Sequence, residues 1–312
     1  MTLTPARIPV EEASSRVRSA CKAAPLGELR TSRGSAFTLI EMLVVIAVVA
    51  ILTTLALPPL QRAKSRGVST YCANNFRQLG IALHLYATEH DDALPYNMGA
   101  EGTHKTVADG TYLNWVNNVM SWELDSENTN TFLLTTGGLG PYVSRAATVY
   151  RCPSDRVLSI PQRQAGWSER VRSVSMNAML GNAGEFMTGK VNTNNPSYRQ
   201  FFRMTEIPDP SKIFAFVEEH PDSINDGYFI NRFYYYEWID LPASYHHGGA
   251  NFIFADGHAE FRAWRQAKTT PPARPDAANL PIELGPSERS DLYWVLSRTS
   301  IRPSADISAS SQ

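Results

Sequence analysis

The polarity of the chain changes sharply at Phe37. From there to Leu57 nearly every position is apolar, the exceptions being Thr38, Glu41, Thr53 and Thr54. About 20 apolar residues in a helix cross a bilayer core of about 30 Å. A helix is also the form in which such a segment satisfies its own backbone groups in lipid. The pattern then changes period. Val68, Cys72, Phe76, Leu79, Leu83 and Tyr86 recur three and four apart, which predicts an amphipathic helix over residues 60–90 with one apolar stripe. Pro58-Pro59 and Gly67 are expected to loosen the junction, and Asp91, Asp92 and Pro95 to end the helix. If continuous from Phe37 to His90, the helix is roughly 80 Å long.

Past Pro95 the pattern shortens. Residues 96–145 are rich in Asn, Thr and Gly, punctuated by Trp115, Trp122 and Phe132, and read as an irregular surface insertion with a short helix over 128–134. Strands are predicted at 148–151, 172–176, 212–218 and 228–233, each bounded by Gly, Pro or Asn. Residues 181–200 read as a Gly/Asn-rich loop. The strongest strand signal is a hairpin, 251–255 and 258–262 around Asp256-Gly257, because a two-residue Asp-Gly turn needs positive φ at both positions. In that register Phe252 faces Phe261. Phe252, Phe254, Ala259 and Phe261 form the buried face, and Asn251, Ile253, His258, Glu260 and Arg262 the wetter one. Residues 265–286, rich in Pro and Ala, read as a linker, and 287–298 as a short helix capped by Ser287, before a Ser-rich end that frays. The fold class is α+β: a long amino-terminal helix followed by a mostly antiparallel β head. The expected segments are a leader over 1–36, a membrane span over 37–57, an amphipathic stalk over 58–95, a head over 96–264 and a linker, helix and tail over 265–312.

Glu41 is the anomaly of the apolar run. A carboxylate within hydrocarbon costs several kcal/mol and marks a functional position by default, although so near the helix end it could also snorkel to the headgroups. The residues around it carry a resemblance. Ala36-Phe37-Thr38-Leu39-Ile40-Glu41-Met42-Leu43 resembles the processing site of type IV prepilins and type II secretion pseudopilins. The resemblance implies cleavage just before Phe37 by a prepilin peptidase on the cytoplasmic face, and N-methylation of Phe37. It also implies pairing of Glu41 with the amino terminus of a neighbouring subunit. Ala36 stands where that family has Gly, and the nearest Gly is Gly34.

A narrower group shares later residues. Cys72-Ala73-Asn74-Asn75-Phe76-Arg77-Gln78-Leu79-Gly80, Tyr150-Arg151-Cys152-Pro153-Ser154-Asp155, Ser175-Met176-Asn177 and Ile207-Pro208-Asp209-Pro210-Ser211-Lys212 resemble pseudopilin-like proteins of the DUF1559 family, which end in an H-X9-DG motif. Here that motif is His246 with Asp256-Gly257. The implied role is a structural subunit, not an enzyme, sitting in the inner membrane with its amino end cytoplasmic and its head outside. Its implied partners are the peptidase/N-methyltransferase, other pseudopilin subunits and inner-membrane lipid.

Composition adds bounds. The 312 residues are 19% charged with formal net charge -1, which suits one domain plus an anchor and gives no basic excess for nucleic acid. Residues 1–36 carry more basic than acidic side chains and no apolar periodicity, and are expected to be disordered. Basic residues also follow the apolar run at Arg62, Lys64 and Arg66, so charge does not by itself orient it. Cleavage before Phe37 removes Cys21 and leaves Cys72 and Cys152, which in an exported domain suggest one disulfide; two buried free thiols are the alternative.

For chemistry, His246, with His247 and His258 nearby, offers nitrogens that with an acid could hold zinc or iron, although Gly257 is explained by its turn. Asp222, Asn225 and Asp226 offer clustered oxygens suited to calcium; an ordinary acidic turn is the alternative. Glu218-Glu219 end a strand and point to opposite faces, which argues against shared acid/base work. The chain has no G-x-S-x-G, P-loop, H-E-x-x-H or G-x-G-x-x-G. The rival class is a membrane-anchored, exported, metal-dependent enzyme or binding protein that uses a prepilin-type signal.

Overall fold

The computed structural model describes residues 37–303 apart from Asp276; the leader expected over 1–36, with Gly34 and Ala36, lies outside the described residues. By internal contacts the chain divides into two units, Met1–Thr53 and Thr54–Gln312.

Helix α1 spans Leu39–Glu89, with Pro58 and Pro59 inside its bounds. Its segment Leu39–Leu57 has a mean hydropathy of 2.7 and no buried residue, so by length and composition it can cross a membrane. The helix starts on a Thr-x-x-Glu pattern. The Thr38 N–H and hydroxyl both donate to Glu41 Oε2 at 2.8 Å, and the Glu41 N–H donates to Thr38 Oγ1 at 3.2 Å. This reciprocal cap satisfies donors that a helix start leaves free.

In the second unit α1 presents the expected stripe. Cys72, Phe76, Leu79, Ala82 and Leu83 are buried. The helix stops where Asp91 and Asp92 turn to positive φ (51° and 68°). Four shorter helices follow: α2 Ala100–Ala108, α3 Phe132–Thr135, α4 Ile160–Gln164 and α5 Ser290–Leu296. The strands are β1 Val174–Asn177, β2 Met187–Thr188, β3 Val191–Asn192, β4 Phe214–Glu218, β5 Tyr228–Phe229, β6 Glu237–Trp238, β7 Gly249–Phe254, β8 Ala259–Ala263 and β9 Ile282–Glu283. The main sheet runs β5-β1-β4-β7-β8 and is antiparallel except for the β1–β5 pair.

The sheet separates two cores. On the α1 side, Cys72, Phe76, Leu79 and Leu83 pack with Trp115, Tyr150, Met176, Phe216 and Ile253. On the other side, Phe214, Val217, Phe252 and Phe254 pack with Trp238, Leu241 and the α5 residues Leu292, Val295 and Leu296. A register shift between Phe214 and Phe216 puts these two residues, which would share a face of a regular strand, into opposite cores. At Gly80 the helix comes so close to the sheet that an added Cβ would lie 2.9 Å from Ile253 Cγ2.

Several expectations are corrected. Residues 148–151 are not a strand; a 3-10 turn, Ala147–Tyr150, stands there. The irregular segment 96–145 is not a surface insertion, since Trp115, Val116, Leu134 and Leu139 are wholly buried in the core. The β7–β8 hairpin is shifted by one residue. Phe252 faces Glu260 and Ile253 faces Ala259, and of the turn residues only Gly257 has positive φ (88°). The loop is therefore a three-residue turn closed by a left-handed glycine. The shift leaves Phe261 45% exposed, while Asn251 and Ile253 are buried because β7 is covered on both faces. The expected linker 265–286 is packed as well: β9 pairs with β6, and the Arg265 and Gln266 N–H groups donate to the buried Asp291 carboxylate.

Candidate functional site

Four chemically active side chains meet beneath α1. Cys72 comes from the helix stripe and Cys152 from the loop after the turn Ala147–Tyr150. Glu218 ends β4 on the α1 side, and His246 lies in the loop that enters β7. Cys72, Cys152 and Glu218 are fully buried and His246 is 3% exposed. One ligand-capable atom from each lies within 4.8 Å of all the others.

The geometry runs as a chain of contacts. Cys72 Sγ is 2.6 Å from Cys152 Sγ, and both are free cysteines in the structure. Cys152 Sγ is 3.4 Å from His246 Nε2, which is 3.0 Å from Glu218 Oε1. Glu218 Oε2 accepts from the Asn251 N–H at 2.6 Å and from Asn251 Nδ2 at 3.1 Å. Asn251 is itself fixed to α1: Ser69 Oγ donates to its Oδ1 at 3.3 Å, and its Nδ2 donates to the Ser69 carbonyl at 3.4 Å. Helix, sheet and loop thus hold Glu218 with one oxygen committed and the other turned toward the thiols and the imidazole.

Electrostatics reinforce this arrangement. Burial opposes a charge on His246, but the Cys152 thiol and the Glu218 carboxylate outweigh it and push its pKa up to about 10. His246 is therefore held as the imidazolium at neutral pH. Burial, with Cys72 alongside, raises the pKa of the Cys152 thiol and keeps it protonated. The His246 Nδ1 atom is buried and has no hydrogen-bond partner among the described residues. A pocket of about 750 Å³ opens over His246, with Arg66, Ser69, His247 and Phe261 in its walls.

The H-X9-DG residues do not act together here. His246 faces the thiols, whereas Asp256 stands in the exposed β7–β8 turn and binds His258 Nδ1 at 2.6 Å. Glu218 and Glu219 do diverge. Glu218 enters the cluster, while the Glu219 carbonyl accepts from the Tyr245 hydroxyl at 3.3 Å and its buried Oε2 has no hydrogen-bond partner among the described residues. The place of Glu218 beside the thiols is not legible locally, because it depends on the register shift in β4.

Several oxygens of the residues expected to suit calcium accept from protein donors. Both Asp222 oxygens accept from the Arg274 N–H, at 2.9 and 2.8 Å. The Asn225 carbonyl accepts from Met120 N and Arg172 Nη2, and Asp226 Oδ1 accepts from the Tyr228 N–H at 2.9 Å. Asp226 is buried, and desolvation raises its carboxyl from 3.8 to about 6. A carboxyl that holds its proton more tightly when folded contributes most below the unfolded value, and that contribution is lost as pH rises through the folded one. The loss is about 3 kcal/mol. Asp226→Asn, which cannot ionise, is expected to remove this slope between about pH 4 and 6. Thermal melts of the two proteins across that range check it, and equal slopes would remove Asp226 from the pH response.

A family model described as "Protein of unknown function (DUF1559)" matches residues 62–227, and one described as "Prokaryotic N-terminal methylation motif" matches residues 31–57. The first match contains Cys72, Cys152 and Glu218 and stops before His246. No curated protein and no solved structure matches the chain. The chain therefore belongs to the DUF1559 family and carries a prokaryotic N-terminal methylation motif ahead of the family's segment.

Proposed function

We propose that this protein is a structural, pseudopilin-like subunit of a type II secretion or type IV pilus-like assembly. Its leader is removed before Phe37 by a prepilin peptidase/N-methyltransferase. Its apolar helix is anchored in the inner membrane with the amino end cytoplasmic, and its head is exported. The observation that carries this reading is the start of α1. The capped Thr38–Glu41 turn opens an apolar segment, Leu39–Leu57, that is wholly exposed, and the methylation motif covers both. A helix apolar on every side needs lipid or sister helices around it. Its one acid, at the fifth position after the expected cut, needs a cation if it is to lie in that environment.

The amino-terminal residue of the protein recovered from membranes tests the reading. N-methyl-Phe37 is the expected result in mass spectrometry. Membrane protein that retains residues 1–36 would overturn it, because no free amine would then exist beside Glu41. The buried cysteine–histidine–glutamate cluster favours a second reading, in which an anchored, exported head binds a metal ion, with or without assembly. The two readings are compatible.

A further inference from the structure

We propose that Cys72, Cys152, His246 and Glu218 form a binding site for one divalent transition-metal cation of the zinc type, which enters by the pocket over His246. The site takes Cys72 from α1 beyond the apolar segment Leu39–Leu57, and the inference does not rest on the assembly proposal.

Donor chemistry is the first support. Two thiols, one imidazole and one carboxylate form a mixed sulfur, nitrogen and oxygen set that suits zinc and its neighbours and not calcium or magnesium. The four donors come from α1, the loop at Cys152, β4 and the loop before β7, so the convergence is a product of tertiary folding and not of local sequence.

The second support is the shell around the donors. Asn251 holds Glu218 Oε2 with two hydrogen bonds, and Ser69 holds Asn251. The Cys152 N–H donates to Ser173 Oγ at 2.7 Å, which fixes the backbone that carries the thiol. Such outer partners orient metal ligands. A simple Cys72–Cys152 bridge would use none of this. It would leave a carboxylate and an imidazole buried beside a neutral disulfide, and buried ion pairs are weak contributors to stability.

Metal binding accounts for all four groups. As the cation enters, each thiol gives its proton to solvent and forms a sulfur–metal bond, and the His246 imidazolium likewise gives its Nε2 proton to solvent. His246 binds through Nε2 as the neutral ring, with its hydrogen on Nδ1. Glu218 Oε1 supplies the fourth bond. Tetrahedral zinc–thiolate geometry requires the sulfurs to move apart to about 3.7 Å, about 1 Å beyond their present separation. That pocket, about 750 Å³, gives the ion its path.

The test uses the full chain in detergent, reduced and stripped of metal under nitrogen, then titrated with Co²⁺ and afterwards with Zn²⁺. The expected result is one Co²⁺ per chain, with strong thiolate-to-cobalt absorption that Zn²⁺ abolishes. Cys152→Ser should remove most of that absorption. Asn251→Ala, which removes the side-chain bond to Glu218 and the tie to Ser69 but keeps the backbone N–H on Glu218 Oε2, should weaken binding by about 10–100-fold and keep the absorption. The wild-type titration decides even if a variant fails to fold. Reduced wild-type protein that shows no thiolate-to-cobalt absorption would overturn the proposal, as would a well-folded Cys152→Ser protein that keeps all of it. A Cys72–Cys152 disulfide in protein alkylated before lysis would overturn it too, since bridged sulfurs cannot supply thiolates.

Discussion

Arg172→Met is expected to destabilise the head by about 3–5 kcal/mol, out of a total that for a domain is about 5–15 kcal/mol. Arg172 is fully buried and each donor of its fork has an acceptor. Nε reaches Asn118 Oδ1 at 3.0 Å, and Nη1 reaches the Val174 carbonyl at 2.9 Å and Ser175 Oγ at 3.0 Å. Nη2 reaches the carbonyls of Asn225 and Asp226 at 3.2 and 2.8 Å. One side chain thereby ties the segment before β1 to the loop before β5 and to the Asn118 segment. Burial lowers its pKa only to about 10, with Glu219 and Asp226 opposing the fall, so it stays charged at neutral pH. Methionine fills similar volume but leaves buried acceptors without donors. Lysine keeps the charge and loses the fork, so it should fall between. In thermal melts the methionine protein should unfold about 6–20 °C below the parent. Equal melting points would show that the five contacts are incidental to stability.

The same residue shows why part of this molecule can be read from its sequence and part cannot. The α1 stripe from Cys72 to Leu83 is legible because burial of one helix face writes a period of 3.6 into local sequence. The α+β class follows from that helix and from the alternating strands behind it. Arg172 carries no such mark: a charged residue before a strand ordinarily faces water, and only the five convergent acceptors make its burial tolerable. The hairpin register lies one residue from that of a two-residue turn because Asp256-Gly257 is compatible with a two-residue or a three-residue turn, and local sequence does not choose. Packing does, since the observed register puts Ile253 under Gly80 and Asn251 against Glu218. The linker reading of 265–286 failed for a related reason. Pro and Ala weaken local structure, but β9 forms by pairing with β6, and Asp291 caps the backbone at Arg265 and Gln266. Within the cluster, Cys72, Cys152 and His246 each stand out by residue type. Glu218 does not, because the face on which it lies is set by the register shift upstream.

Two substitutions at Glu41 separate the roles that the helix start allows. In the structure its carboxylate accepts from the Thr38 N–H and hydroxyl, a cap that Gln also makes. A cap alone is worth about 1 kcal/mol. A charge pair with a sister subunit's amino terminus in lipid is worth more, because breaking a buried pair leaves one charge uncompensated at about 3–5 kcal/mol. Glu41→Ala removes both interactions, and Glu41→Gln removes only the charge. Both proteins should still insert, since the Leu39–Leu57 segment becomes no less apolar. Both should also lose incorporation into assemblies by about a hundredfold or more, measured as the ratio of sheared or cross-linked oligomer to membrane monomer. If Glu41→Gln assembles like the parent while Glu41→Ala does not, the carboxylate serves only as a cap, and registration of subunits by an acid–amine pair is wrong. If both fail and both remain in the membrane, charge at this position governs the step from anchored monomer to filament.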